Sequence, residues 1–268
     1  MGSADIKKIL ERTGFLILLL VCIVSCRESS TNSLDNVQST CSNSTGIEGL
    51  FWDIMNGVPR GDIPGGVPTI KNPGGTYIHP QIPLLGFQYP AGYTPQTDFT
   101  QNAIGVNVIR NDNGSLWRQT QIATLNQVRA RDVLAAEINS LLGFFGGNAD
   151  QIQVVCFNEG TQPSDQLAPG FIVDFSNRLI RFNGVTAVIT TSVTFTSSGL
   201  NSIVIQKMAS ATNQFNDEIM NTYLPISWQL LFTNGGERDS DNDGVPDNRD
   251  LCPNTPPGTP VNANGCRI

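Results

Sequence analysis

Charge is what this chain has least of. Charged residues make up 15% of its 268 residues, against roughly 25% in an ordinary soluble protein. Its polar surface is therefore built mainly from Asn, Gln, Ser and Thr. The net charge is −7 and no block of Lys or Arg stands out, which argues against a nucleic-acid partner. Histidine is scarcer still. His79 is the only one, so any Ser–His or Cys–His chemistry would have to pass through it. It sits in Tyr77-Ile78-His79-Pro80, and the sequence carries no nucleophile elbow, zinc-ligand spacing, phosphate loop or dinucleotide fingerprint. Long hydrophobic runs are missing too. The apolar stretch from Phe15 to Val24 has ten residues, half of the about 20 that a membrane-spanning helix needs.

That short run has a different use. Lys7, Lys8 and Arg12 precede it and Ile23-Val24-Ser25-Cys26 ends it. A basic n-region, a short apolar core and small residues before a cleavage point make a signal peptide over 1–25. Its end resembles a bacterial lipobox. The resemblance implies cleavage before Cys26 and acylation, including palmitate-type chains, of the Cys26 thiol and its new amine. Such chains contribute about 0.8 kcal/mol per buried CH₂ and anchor the protein to a membrane. Arg27 follows, rather than the Asp that retains enteric lipoproteins at the inner membrane, so the outer membrane is the expected address. Residues 26–46 are rich in Ser, Thr and Asn and read as a flexible tether.

Residues 47–234 read as an α+β domain, with helices packed on one face of a mainly antiparallel sheet. Its first part, 57–95, holds eight of the 16 prolines together with eight glycines. Proline removes a backbone donor and fixes φ, so this part is expected to be coil wrapping the domain, with Tyr77, Phe87, Tyr89 and Tyr93 plugged into the core. Ile104–Arg110 and Ser115–Ile122 flank the turn Asn111-Asp112-Asn113-Gly114 as a strand pair. Thr124-Leu125-Asn126-Gln127 fits a capping box opening a helix to Leu142, with Leu125, Val128, Ala135, Ile138 and Leu142 on its apolar face. Gln151–Phe157 is a strand. Asn183-Gly184 is a hairpin turn between Arg178–Phe182 and Val185–Thr196, the latter alternating as if one face were buried and one wet. Val204, Met208, Ala211, Phe215 and Ile219 recur at helical spacing, although β-branched Ile203, Val204 and Ile205 suit a strand. Ile226–Phe232 reads as a last strand. Hairpin, helix and strand would then occur twice.

The residues with the clearest chemistry come last. The run 239–250 is DSDNDGVPDNRD. With Asp239 as position 1, carboxylates fall at 1, 3, 5, 9 and 12: Asp239, Asp241, Asp243, Asp247 and Asp250. Gly244 permits a sharp turn at 6 and Val245 can offer its carbonyl at 7. Calcium wants six to eight oxygens at about 2.3–2.6 Å, which alternating Asp on a coiling loop supplies. No flanking helix of the EF-hand kind is readable, because Thr-Asn-Gly-Gly precedes the loop and Cys252-Pro253 follows it. The segment 239–266 carries D-x-D-x-D-G-x-x-D-x-x-D-x-C-P and then N-T-P-x-G-T-P-V-N-x-N-G-C. It resembles a thrombospondin type 3 repeat in its bacterial form. The resemblance covers about 30 residues, and 235–268 is taken as that module. It implies calcium on the Asp side chains and a disulfide between Cys252 and Cys266. Asn262 stands where Asp is common in the family, so one ion is expected.

There are six cysteines. Cys22 leaves with the signal peptide and Cys26 takes lipid. Setting aside Cys252 and Cys266 leaves Cys41 and Cys156, either as a long staple in an exported chain or as two free thiols. Nothing else in 47–234 is specific. Asp53, Asp62, Asp98, Asp132, Glu137, Asp150, Glu159 and Asp174 could supply a carboxylate pair for hydrolysis, but no spacing selects two of them. The expected function is a binding or structural lipoprotein of the cell envelope with a calcium-stiffened C-terminal module. Its partners would be the membrane, through lipid, and an envelope protein or glycan. A carboxylate-dependent envelope hydrolase is the alternative.

Overall fold

The computed structural model describes residues 41, 44–57, 63, 65–163, 171–232, 239–245, 247, 250–256, 258–262 and 264–268. The signal peptide, Cys26 and most of the tether lie outside them.

Among the described residues nine strands dominate. The sheet order is β3-β4-β5-β9-β8-β7-β6, antiparallel throughout, with a separate two-stranded sheet β1-β2. The strands are β1 (Pro73–His79), β2 (Ile82–Pro90), β3 (Tyr93–Phe99), β4 (Ala103–Arg110), β5 (Ser115–Thr124), β6 (Gln153–Pro163), β7 (Ile172–Phe182), β8 (Val185–Phe195) and β9 (Asn201–Ala211). Helices are few: α1 (Gly46–Met55), α2 (Ala130–Phe145), α3 (Phe215–Glu218) and α4 (Leu224–Phe232), the last two joined by a π-helical turn, Ile219–Tyr223. Among the described residues no helix is long and apolar enough to cross a membrane.

This corrects the α+β expectation. The fold is mainly β, and it is a sandwich of two antiparallel sheets rather than a set of helices on one sheet. The β1–β2 hairpin lies against the β3–β5 end of the large sheet. Phe87 meets Trp117 edge-on with ring centroids 5.6 Å apart, and the Tyr77 hydroxyl is 2.8 Å from Thr97 Oγ1. From Pro73 on, the proline-rich segment is thus strand rather than the expected coil, while the described residues 65–72 before it are irregular. Three of its prolines sit where a strand can do without an N–H: Pro73 opens β1, Pro90 ends β2 and Pro95 lies on edge strand β3.

The central strands of the large sheet are buried on both faces. Leu116, Ile180, Phe182, Val185, Ala187, Ile189 and Ala209 pack with Leu134, Leu141 and Leu142 of α2. Val106, Val108, Trp117, Cys156, Leu179, Val188 and Met208 pack with Phe51 and Trp52 of α1, with Phe87, and with Phe215, Ile219, Tyr223 and Ile226. The wet face expected for β8 is therefore absent, since Thr186, Val188 and Thr194 are buried there.

Three further expectations change. Residues 201–211 are strand β9, in line with their β-branched run, and 224–232 are helix. A short apolar run does not distinguish the two by period alone. The hairpin–helix–strand unit is accordingly not repeated. Helix α2 starts at Ala130, not at Thr124, and Leu125 is exposed. Thr124 instead holds a turn, its Oγ1 accepting from the Asn126 N–H at 3.1 Å. The helix is capped from elsewhere. Asp174 of β7 accepts from the Ala130 N–H at 2.7 Å and grips the Arg129 guanidinium with both oxygens, at 3.0 and 2.9 Å.

Two turns form as read. Asn183 and Gly184 have φ of 43° and 73°, the left-handed pair of a type I′ hairpin, and Asn113 at φ 59° closes the β4–β5 turn. Both disulfides form, Cys41–Cys156 and Cys252–Cys266. The first fastens the segment before α1 to β6.

Candidate metal centre

The acidic loop coils so that its own backbone amides hold its own carboxylates. Gly244, at φ 92°, makes the turn that a side-chain-bearing residue would resist. Its N–H donates to Asp239 Oδ2 at 2.9 Å. The Val245 N–H donates to Asp243 Oδ1 at 2.8 Å, and the Asp243 N–H to Asp241 Oδ1 at 3.3 Å. These are the short-range Asp side-chain bonds that replace regular structure in polar loops. They orient the carboxylates without neutralising them.

The result is an anion cluster. Ligand oxygens of Asp239, Asp241 and Asp243 all lie within 4.8 Å of one another. Two oxygens bound to one cation at about 2.3–2.6 Å can be at most roughly 5 Å apart, so this spacing accommodates a metal ion. Asp243 is 4% exposed, and its Oδ2, like Asp239 Oδ1, is buried with no hydrogen-bond partner. A buried acceptor left unpaired costs about 1–3 kcal/mol, and a charged one more. Burial, with the charges of Asp241, Asp250 and Asp239, pushes the Asp243 carboxyl up to about 6. Asp239 is also raised, by burial first and by Asp241 beside it. Two buried, unpaired oxygens within a like-charged group fit a cation.

The other expected ligands divide. Asp250 stands close by: its charge acts on Asp243, while its Oδ1 accepts from the Cys252 N–H at 2.8 Å. Asp247 turns to Ser240, taking its N–H and its hydroxyl at 2.7 Å each. Val245 buries its side chain with Val67 and Val261. The structure therefore brings together Asp239, Asp241 and Asp243, with Asp250 beside them.

Two residues of the site went unread in the sequence. Thr255 donates its N–H to Asp241 Oδ2 at 2.7 Å, and its hydroxyl bonds the carbonyls of Cys252 and Gly265, both at 3.0 Å. Gly265, at φ 75°, is packed so tightly that a Cβ would overlap Asp250 Oδ1 and lie 3.1 Å from Asp243 Oδ2. The Asn-Gly pair just before Cys266 was the available signal. The Cys252–Cys266 bond closes this trailing loop over the carboxylates.

The carboxylates of the body are satisfied differently. Asp98 pairs with Arg118 at 2.7 Å, Glu137 with Lys207 at 2.6 Å, Glu159 with Arg178 at 2.6 Å and Asp174 with Arg129. Asp132 and Asp150 are exposed, and Asp62 lies outside the described residues. His79 is buried, with the rings of Tyr77 and Phe99 each 6.3 Å away. Its Nδ1 accepts from the Gln81 N–H at 3.2 Å, and burial pushes its pKa down.

No family model matches the chain. Two curated proteins resemble parts of it. One is an alpha-agarase of Thalassotalea agarivorans, 42% identical over 82 residues, which covers 29% of this chain and 5% of that protein. The other is an alpha-agarase of Alteromonas agarilytica, 33% identical over 130 residues, or 45% of this chain and 8% of that protein. Both matches are longer than the segment 235–268, so each takes in other parts of the chain. This chain is thus similar to small portions, under a tenth, of two much larger alpha-agarases.

Proposed function

We propose that the chain is a carbohydrate-associated lipoprotein of the bacterial outer membrane, binding or structural in kind, whose C-terminal loop takes up calcium. The observation that carries the reading is the pair of buried, unpaired oxygens, Asp239 Oδ1 and Asp243 Oδ2, inside the Asp cluster. Calcium is favoured over softer metals because the donors are carboxylate oxygens and no Cys or His is among them. The resemblance of 239–266 to a thrombospondin type 3 repeat points the same way. When bound, the ion supplies positive charge to the loop. The chain's own residues do the rest: Asp239, Asp241 and Asp243 hold it, Asp250 stands beside them, and Gly244 and Thr255 keep the carboxylates aimed inward.

Affinity should be modest. The residue at position 12 is Asp250, one methylene shorter than the Glu of an EF-hand, which argues for an extracellular-module constant on the order of 10⁻⁴–10⁻³ M. Calorimetric titration of calcium into wild type, Asp241→Ala and Asp243→Ala tests this. Heat in the wild type alone supports it, and a wild type without heat refutes it.

The lipid anchor rests on the lipobox at Cys26. Mass spectrometry of membrane-extracted protein should find a diacylated or triacylated N-terminal Cys26, and an unlipidated N-terminus at another residue would remove the anchor from this account. The carbohydrate association rests on the alpha-agarase matches, which make agar the polymer to try first. Co-sedimentation with agar is the corresponding test. The hydrolase alternative has less support, because Asp98, Glu137, Glu159 and Asp174 are each matched to an Arg or Lys rather than to each other.

A further inference from the structure

The acidic loop does not stand away from the body. Both halves of the tail close on one short strap, 65–70, which leads from α1 toward β1. From one side, a Cβ on Gly244 would lie 2.7 Å from Thr69 Cγ2 and 3.0 Å from Val67 Cγ1, so only the bare glycine allows this approach. From the other side, the Val67 N–H donates to the Val261 carbonyl at 2.8 Å. Gly66, at φ 84°, lies so near Val261 that a Cβ there would overlap the Val261 carbonyl oxygen. Between the two halves, Val67, Val245 and Val261 form a buried apolar cluster against which Trp228 of α4 packs.

Val245 links the two functions. Its N–H is tied to Asp243 Oδ1 at 2.8 Å, inside the cation cluster, while its side chain is 4% exposed in the valine cluster. Whatever fixes the Asp243 carboxylate therefore fixes the residue that plugs into the body. We propose that the tail is a calcium-dependent clasp: cation binding at Asp239, Asp241 and Asp243 locks Val245 and Val261 onto the 65–70 strap and Trp228. Loss of the cation releases the tail and uncovers the apolar surface of Val67 and Trp228. The inference rests on the calcium reading above, and it replaces a free-standing stiffened spacer with a switchable contact.

Linkage fixes the quantitative form. If calcium favours the closed clasp by some factor, breaking the clasp must weaken calcium binding by the same factor. The test is hydrogen–deuterium exchange of the full chain, with and without calcium chloride at ten- to hundredfold above the measured constant. In the wild type, calcium should slow exchange in 65–70 about fivefold or more, together with 239–256. Gly66→Ala and the nearly isosteric Val67→Thr break the strap contact without touching the carboxylates. Both should still take up calcium, about fivefold more weakly, with protection confined to the loop. Two variants of different severity guard against one failing to fold. Calcium that protects 239–256 but leaves 65–70 unchanged in the wild type overturns the clasp while leaving the calcium site standing. A wild type that takes up no calcium overturns both.

Discussion

The body and the tail solve the same electrostatic problem in opposite ways. In the body, each buried carboxylate is given a cation by the chain. Glu218 is held by Arg110 at 2.6 Å and by the Tyr93 hydroxyl, Asp174 by Arg129, and Glu48 by Arg181 at 2.8 Å. Even Lys207, whose side chain is 2% exposed, has Glu137 and Ser140 within reach. In the tail, among the described residues, Asp239, Asp241 and Asp243 are met by backbone N–H groups and by no Lys or Arg. In the body the chain itself supplies the counter-charge, whereas the tail cluster has none among the described residues, which is the charge the proposed calcium would supply. The apolar cores differ likewise. The sheet buries Trp52, Trp117, Tyr223 and many aliphatics, whereas the tail has two valines, Val245 and Val261, packed on Val67 and Trp228 of the body, and a disulfide.

The sharpest way to break the comparison is to remove a counter-charge in each region. Arg110→Ala leaves Glu218 buried with the Tyr93 hydroxyl but no counter-charge, and should cost about 3–5 kcal/mol of body stability by urea melt. Asp243→Asn should do the reverse in the tail. It removes an unpaired charge, so in calcium-free buffer the tail becomes no less resistant to proteolysis, while calcium no longer adds protection. A destabilised Asp243→Asn tail in calcium-free buffer would contradict the contrast.

The disulfides give the next effect. Cys252–Cys266 spans 14 residues and Cys41–Cys156 spans 115. On loop-closure entropy, the short one is worth about 3 kcal/mol and the long one about 4.7. Replacing Cys252 and Cys266 by Ser should therefore expose 251–268 to protease and leave the far-ultraviolet dichroism of the sheet unchanged. Replacing Cys41 and Cys156 should lower the melting temperature of the sheet instead.

Smaller still is calcium itself. At ten- to hundredfold above its dissociation constant, it should stabilise the tail by about 1.4–2.7 kcal/mol, read as a shift in the protease-resistance midpoint. Proton binding is the weakest lever. With its folded value pushed up to about 6 from 3.8, Asp243 holds its proton more tightly folded than unfolded. That stabilisation is complete below about pH 4 and is lost as pH rises through about 6. In calcium-free buffer the tail should thus loosen between pH 4 and 6.5, and a tail that tightens over that range would contradict the assignment.

What the sequence made legible divides along the same line. The tail's chemistry is local. Asp239, Asp241, Asp243 and Gly244 lie within six residues, and the bonds that aim them are mostly to near neighbours, so a spacing pattern was enough to find the cluster. The hairpin turns at Asn113 and Asn183-Gly184 were legible for the same reason. The body is governed by distant contacts. Helix α2 begins where Asp174 of β7 caps it, 44 residues away, and no local capping pattern reveals that. The 224–232 run is apolar except for Ser227 and Gln229, which bond Trp117 and Gln88, and so short a run carries no readable period. Prolines 73, 90 and 95 looked incompatible with strands only while the edge positions of those strands were unknown. Thr255 and Gly265 were missed because they reach the carboxylates across the disulfide loop.

The most direct test of the central contrast is equilibrium dialysis of the full chain against radioactive calcium, wild type beside Asp243→Asn. The account predicts one calcium per wild-type chain, half-saturated on the order of 10⁻⁴–10⁻³ M, and at least tenfold weaker uptake by the variant. Equal uptake by the two proteins, or none by the wild type, would show that the tail does not draw its missing charge from a cation held by Asp239, Asp241 and Asp243.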